Sequence, residues 1–111
     1  MKLFILILSL LTTGCSSLRD KAVGDYGEGT VFKIVFANNG AWEYYKNDKK
    51  KNPQDWKWRA AGEELHAYDN NGNYVIYIIE PNGNLKWIGF VNKGKRTDLE
   101  WYRQTTYKKI K

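Results

Sequence analysis

The sequence predicts an all-β protein: an antiparallel meander of about seven strands forming a small barrel or half-barrel, with one short helix before the last strand. Three observations predict it. Apolar and polar residues alternate through most of the chain beyond residue 30, as half-buried strands require. Turns rich in Asn and Gly separate those runs, and Gly72, Gly83 and Gly94 recur eleven residues apart, a rhythm that suits hairpins. Aromatics make up 15% of the chain, and the single Cys excludes an internal disulfide. A small domain without a disulfide is held by its core, to which large aromatic side chains contribute most.

The first strand is Thr30–Ala37, with Phe32, Ile34 and Phe36 on one face and Lys33 on the other. Asn38-Asn39-Gly40 makes a tight turn, because Asn and Gly tolerate positive φ. Ala41–Lys46 returns with Trp42 and Tyr44 alternating against Glu43 and Tyr45. A polar loop over 47–55 carries Lys49, Lys50, Lys51 and Pro53. Trp56–Ala60 sets Trp56 and Trp58 against Lys57 and Arg59, and Glu64–Asp69 sets Leu65 and Ala67 against His66 and Tyr68. Tyr74–Glu80 is apolar on both faces and is expected to be central. Leu85–Val91 and Thr105–Ile110 complete seven strands. Thr97-Asp98-Leu99-Glu100 has the form of a capping box, so the short helix is expected from Thr97 to about Gln104.

Composition excludes several kinds of chemistry. One Cys and one His leave no thiolate zinc cluster and no multi-His metal site. No nucleophile elbow, phosphate loop or HExxH motif occurs. The carboxylate pairs Glu63/Glu64 and Asp98/Glu100 are neighbours that point apart or serve a helix cap. Asp69, Asn71, Asn73 and Glu80 have the spacing of a calcium loop, but Tyr74 stands where that loop needs Gly. These residues are read as a hairpin turn, and His66 as a surface or cross-strand residue. No enzyme, cofactor or metal is expected.

The formal net charge is +6. Lys49, Lys50, Lys51, Lys57 and Arg59 cluster around one loop and strand. Either they form a solvated face, or they contact an anionic surface such as lipid headgroups or a cell-wall polymer. A nucleic-acid partner is not expected.

The N-terminus supplies an address. Lys2 precedes the apolar run Leu3–Leu11, which is too short to span a bilayer. Leu11-Thr12-Thr13-Gly14-Cys15 follows. This segment resembles the lipobox of bacterial lipoproteins. The resemblance implies a signal peptide over 1–14, lipidation of Cys15 with palmitate among the acyl chains, and a membrane anchor in the bacterial cell envelope. With Ser16 and Ser17 after the Cys, it implies the outer membrane in a Gram-negative source. Residues 15–29 are then the lipidated Cys and a tether, and 30–111 the folded domain.

The run from Phe36 to Trp42, the Trp56-Lys57-Trp58 strand, the stretch from Glu64 to Gly72 and the closing Tyr107-Lys108-Lys109 resemble the small lipocalin-like, calycin-type barrels of bacterial lipoproteins. That resemblance implies a cup with a small apolar or amphipathic ligand in its mouth. Trp42, Trp56, Trp58, Tyr74, Ile76 and Trp87 are the expected inner wall. The same side chains would instead fill the barrel solid in a protein-interaction lipoprotein: an inhibitor, an envelope assembly accessory or a phage-encoded exclusion factor whose partner is an envelope protein.

Overall fold

A computed structural model describes residues 17–29, 31–52 and 55–111. The expected signal peptide and Cys15 lie outside the described residues. Ten strands form one antiparallel sheet: β1 (Gly24–Glu28), β2 (Phe32–Phe36), β3 (Ala41–Lys46), β4 (Lys49–Lys50), β5 (Trp56–Ala61), β6 (Glu64–Tyr68), β7 (Tyr74–Ile79), β8 (Leu85–Asn92), β9 (Lys95–Asp98) and β10 (Thr105–Lys109). Eight of them close into a barrel. β10 pairs with β8 on one side and β1 on the other, which seals the meander. Closure removes the exposed edges that an open sheet would present.

The eighth barrel strand, β1, comes from the segment expected to be a tether. Helix α1 (Leu18–Ala22) precedes it, with the Ser17 hydroxyl accepting from the Asp20 amide at 3.1 Å. Ala22 is fully buried, and Leu18 and Val23 pack on the core. The Tyr26 hydroxyl donates to the Ala22 carbonyl at 2.7 Å, and the Lys109 ammonium donates to the Lys21 carbonyl at 3.2 Å. The helix therefore plugs one end of the barrel. Above it the core centres on Phe36, whose ring meets Tyr26, Trp58 and Tyr77 edge-on at centroid distances of 5.9, 5.2 and 5.5 Å. Truncating any of these buried rings to Ala would cost about 3–5 kcal/mol.

The turns follow the sequence reading. Gly40, Gly72, Gly83 and Gly94 all hold positive φ, where a side chain is strained. β8 carries a bulge: Ile76 faces Gly89 while Tyr77 faces Trp87, leaving Ile88 without a partner on β7. At that bulge β8 changes its other neighbour. Leu85 to Trp87 pair with β10, whereas Gly89 to Asn92 pair with β9.

β9 and β10 are thus one edge interrupted by an excursion, and this corrects the capping-box reading. Thr97 is a strand residue opposite Phe90, so its side chain caps nothing. The short helix is a single 3-10 turn, Trp101–Arg103, with Glu100 extended before it and making no side-chain cap bond. The ladder to β8 holds Thr97 in strand geometry, and this tertiary pairing outweighs the local capping signal.

Candidate ligand site at the barrel mouth

Away from α1 the barrel opens into a cavity of about 220 Å³ lined by Ile34, Trp42, Tyr44, Val75, Tyr77, Trp87 and Tyr107. Alternation along β2, β3, β7, β8 and β10 turns these residues inward. Phe32 stacks on Tyr44 at 6.1 Å and Tyr44 on Trp42 at 6.3 Å, both nearly parallel, and Trp42 meets Trp56 at 5.3 Å. Four rings thus form a continuous strip along one wall.

That wall is thinly paired. β3 and β5 share two register pairs, Ala41 with Lys57 and Trp42 with Trp56. Beyond them the Asn52 side chain takes the place of a strand, accepting from the Tyr44 amide at 3.0 Å and donating to the Trp42 carbonyl at 3.2 Å. The Lys51 amide donates to the Tyr44 carbonyl at 2.7 Å.

The polar groups at the mouth are phenols and two indoles. Burial, and then the charge of Glu28, pushes Tyr107 up to about 12. Burial also raises Tyr77 well above its ordinary value, with Tyr107 and Tyr44 adding to the effect, and burial followed by Glu28 raises Tyr44. All three hydroxyls therefore stay protonated at neutral pH. The Trp87 indole donates to the Gly89 carbonyl at 2.8 Å. The Trp42 indole N–H is buried without a hydrogen bond of acceptable geometry, although it lies close enough to the Tyr77 hydroxyl to pull against that residue's upward shift.

No protein-family model, no curated protein and no solved structure matches this chain. The cavity geometry is what speaks to its role.

Of the expected inner wall, Trp42 and Trp87 line the mouth, and Trp56 stacks beside Trp42. Trp58 lies deeper, toward the closed end, where its indole donates to the Ala37 carbonyl at 2.8 Å. Tyr74 and Ile76 are corrected to the outer face. Their neighbours Val75 and Tyr77 point inward, and Tyr74 stacks on outward-facing His66 at 4.5 Å. Ile34, Tyr44, Val75, Tyr77 and Tyr107 are mouth residues that the expected set did not include. The hairpin held the signal for the first correction: Tyr68 pairs with Tyr74, and an outward Tyr68 places Tyr74 outward.

The basic cluster divides. Lys49 and Lys51 are exposed and make no ion pair among the described residues, whereas Lys50 lies 3.6 Å from Glu43. Lys57 and Arg59 face outward on β5, with the Arg59 guanidinium 4.8 Å from the Tyr68 ring centroid. His66 is buried on the outer face, its Nε2 3.0 Å from Glu64 and its Nδ1 unpartnered. The calcium-like spacing resolves into a turn: Asp69 accepts from the Asn71 and Asn73 amides at 2.8 and 3.0 Å. Among the described residues no group of three His, Cys, Asp or Glu is placed to hold a metal.

Proposed function

We propose that this chain is a lipid-anchored, non-catalytic binding module of the bacterial cell envelope that holds a small apolar or amphipathic ligand in the mouth of a lipocalin-like barrel. The observation that carries the reading is the aromatic-lined cavity of about 220 Å³ at the end opposite the helical plug. It is concave, apolar and edged by a few polar groups, as small-molecule sites are. An engineered apolar cavity of about 150 Å³ holds benzene, so this one has room for a ring with a substituent or the end of an acyl chain. The lipobox resemblance supports the anchor at Cys15, and about two acyl chains there would hold the protein stably on a membrane.

The cup is tested by titrating the full chain with an apolar fluorescent probe while following Trp emission. Saturable one-to-one binding is expected, and no binding would reject the cup. The anchor is tested by labelled palmitate, which should enter the wild type and not Cys15→Ser. Equal labelling of both, or of neither, would reject it.

A second reading has its own observation. Trp101 and Tyr102 are 83% and 64% exposed on the turn before β10. Aromatics of this kind anchor protein interfaces, and they favour an interaction lipoprotein with an envelope-protein partner. Loss of a co-purifying protein in Trp101→Ala, together with failure of every small probe, would favour it over the cup.

A further inference from the structure

Five of the seven residues that line the mouth cavity are aromatic, and none is charged. Trp42 and Tyr77 are buried, whereas Tyr44, Trp87 and Tyr107 are half-buried and keep ring surface to offer. The charge that acts on this lining is negative. Glu28 ends β1 on the same face as Tyr26, whose ring is in the core, so alternation sets it on the cavity side of the strand. Gly27 pairs with Lys108, and the next step of that register brings Glu28 beside Tyr107. Its charge reaches both Tyr107 and Tyr44, raising the two phenols after burial has done so. We propose that the mouth selects a quaternary ammonium group, held against the rings of Tyr44, Trp87 and Tyr107 with the Glu28 carboxylate at the rim. This rests on the reading of the mouth as a ligand cup, and it gives the amphipathic ligand a cationic end.

Other charged groups meet a cost there. A carboxylate would lose its hydration with no cation in the lining and with Glu28 as a like charge. A primary ammonium carries three N–H donors, and the only side-chain acceptors in the lining are phenol oxygens. A quaternary ammonium has no donor to satisfy and is attracted to aromatic rings. Its bulk is close to that of benzene, which an engineered cavity of about 150 Å³ holds. The aromatic strip already takes one cation in this way. The Lys46 ammonium lies 5.8 Å from the centroid of Phe32, the ring that stacks on Tyr44, and Lys46 itself is outside the lining.

Four probes separate these cases: choline, its neutral carbon isostere dimethylbutanol, the anionic isostere tert-butylacetate, and ethanolamine as a primary ammonium. Each is titrated with the full chain, following the probe's own proton resonances. Choline is expected to bind about fivefold more tightly than dimethylbutanol, the factor that a cation–π contact supplies. Its methyl protons are expected to move upfield, because they lie over aromatic rings. The carboxylate and ethanolamine are expected to bind more weakly than choline. Glu28 is exposed, so Glu28→Gln changes charge without opening the core. It should weaken choline about threefold, the size of a screened charge pair, and leave dimethylbutanol unchanged. Any of the other three probes binding as tightly as choline, or choline binding without an upfield methyl shift, overturns the ammonium rule. Equal choline binding by Glu28→Gln overturns the part given to the carboxylate. If none of the four binds but the apolar fluorescent probe does, the ammonium rule falls and the cup stands. If that probe fails as well, the cup itself falls.

Discussion

The Arg19 guanidinium lies 5.1 Å from the centroid of the Trp58 ring, and the same side chain donates to the Asn38 carbonyl at 2.7 Å. One residue of α1 thus holds the β2–β3 turn and the indole that floors the barrel. Arg19→Ala should destabilise the fold by about 1–2 kcal/mol, from a cation–π contact and a charged hydrogen bond. Arg19→Lys should recover less than half of this, since an ammonium cannot cover the ring and reach the carbonyl together. Urea unfolding checks it. A change within about 0.5 kcal/mol of wild type, as ordinary surface positions give, would show that the plug does not depend on Arg19.

Seven strands beyond residue 30 were legible, most of them from alternation bounded by a glycine turn, whereas β4 falls in the stretch expected to be a loop and β9 runs into the one expected to begin a helix. β1 was not legible either, for a physical reason. Gly-Asp-Tyr-Gly-Glu offers one inward apolar side chain, Tyr26, and its first glycine is there for close approach. A Cβ on Gly24 would collide with the Lys111 carbonyl, and one on Gly27 would sit 2.9 Å from the Ile110 side chain. Sequence scored these residues as polar and flexible, whereas backbone pairing to β2 and β10 makes them a strand. The mouth was half legible for a related reason. β7 is apolar on both faces, so composition alone did not say whether Tyr74 or Val75 points in.

Gly89 marks the point where β9 joins the bulged strand. A Cβ there would stand 2.6 Å from the Thr97 carbonyl oxygen, a backbone atom that cannot swing away. Gly89→Ala should cost about 1–3 kcal/mol by overpacking. It should speed amide exchange in β9 and leave the β8–β10 ladder protected, because Leu85 to Trp87 lie on the other side of the bulge. Unchanged β9 exchange would sink this account of the edge.

The buried phenols set an alkaline limit. Burial pushes Tyr26 up to about 12, and Tyr107 to about 12 by burial and then Glu28. An unfolded Tyr titrates near 10. The protein therefore keeps this contribution in full below pH 10 and loses it as pH rises toward about 12, where the unfolded chain has released protons that the native state retains. Phenolate absorbance should rise in two stages, the later one coinciding with loss of far-ultraviolet dichroism. All 8 Tyr ionising together near pH 10, with the fold intact, would contradict it.

An acidic limit comes from the outer face. Arg96 donates twice to Glu64, at 2.7 and 3.1 Å, across 32 residues of sequence. Those bonds, with a further one from His66, hold the Glu64 carboxyl down from 4.5 to about 2. The stabilisation is present above pH 4.5 and is lost as pH falls toward 2. Because the Glu64 side chain is 25% exposed, its size is that of a partly screened pair, about 1 kcal/mol. Glu64→Gln should therefore be less stable than wild type by about that amount at neutral pH and indistinguishable from it near pH 2. A difference that persists at low pH would point to packing in place of charge.

The basic loop gives the test of surface attraction. Lys49 and Lys51 are exposed and make no ion pair among the described residues, so their charge is available to a partner, as is that of exposed Arg59 on β5. Near an anionic membrane each free Lys contributes about 1 kcal/mol. The double variant Lys49→Ala/Lys51→Ala should therefore bind phosphatidylglycerol-containing vesicles about thirtyfold more weakly, and Arg59→Ala about fivefold. Raising the ionic strength should erase the difference between wild type and the double variant, since screening acts within about 10 Å at 0.1 M salt. Equal binding by all three proteins at low salt would assign these lysines to the solvated face that keeps the barrel soluble.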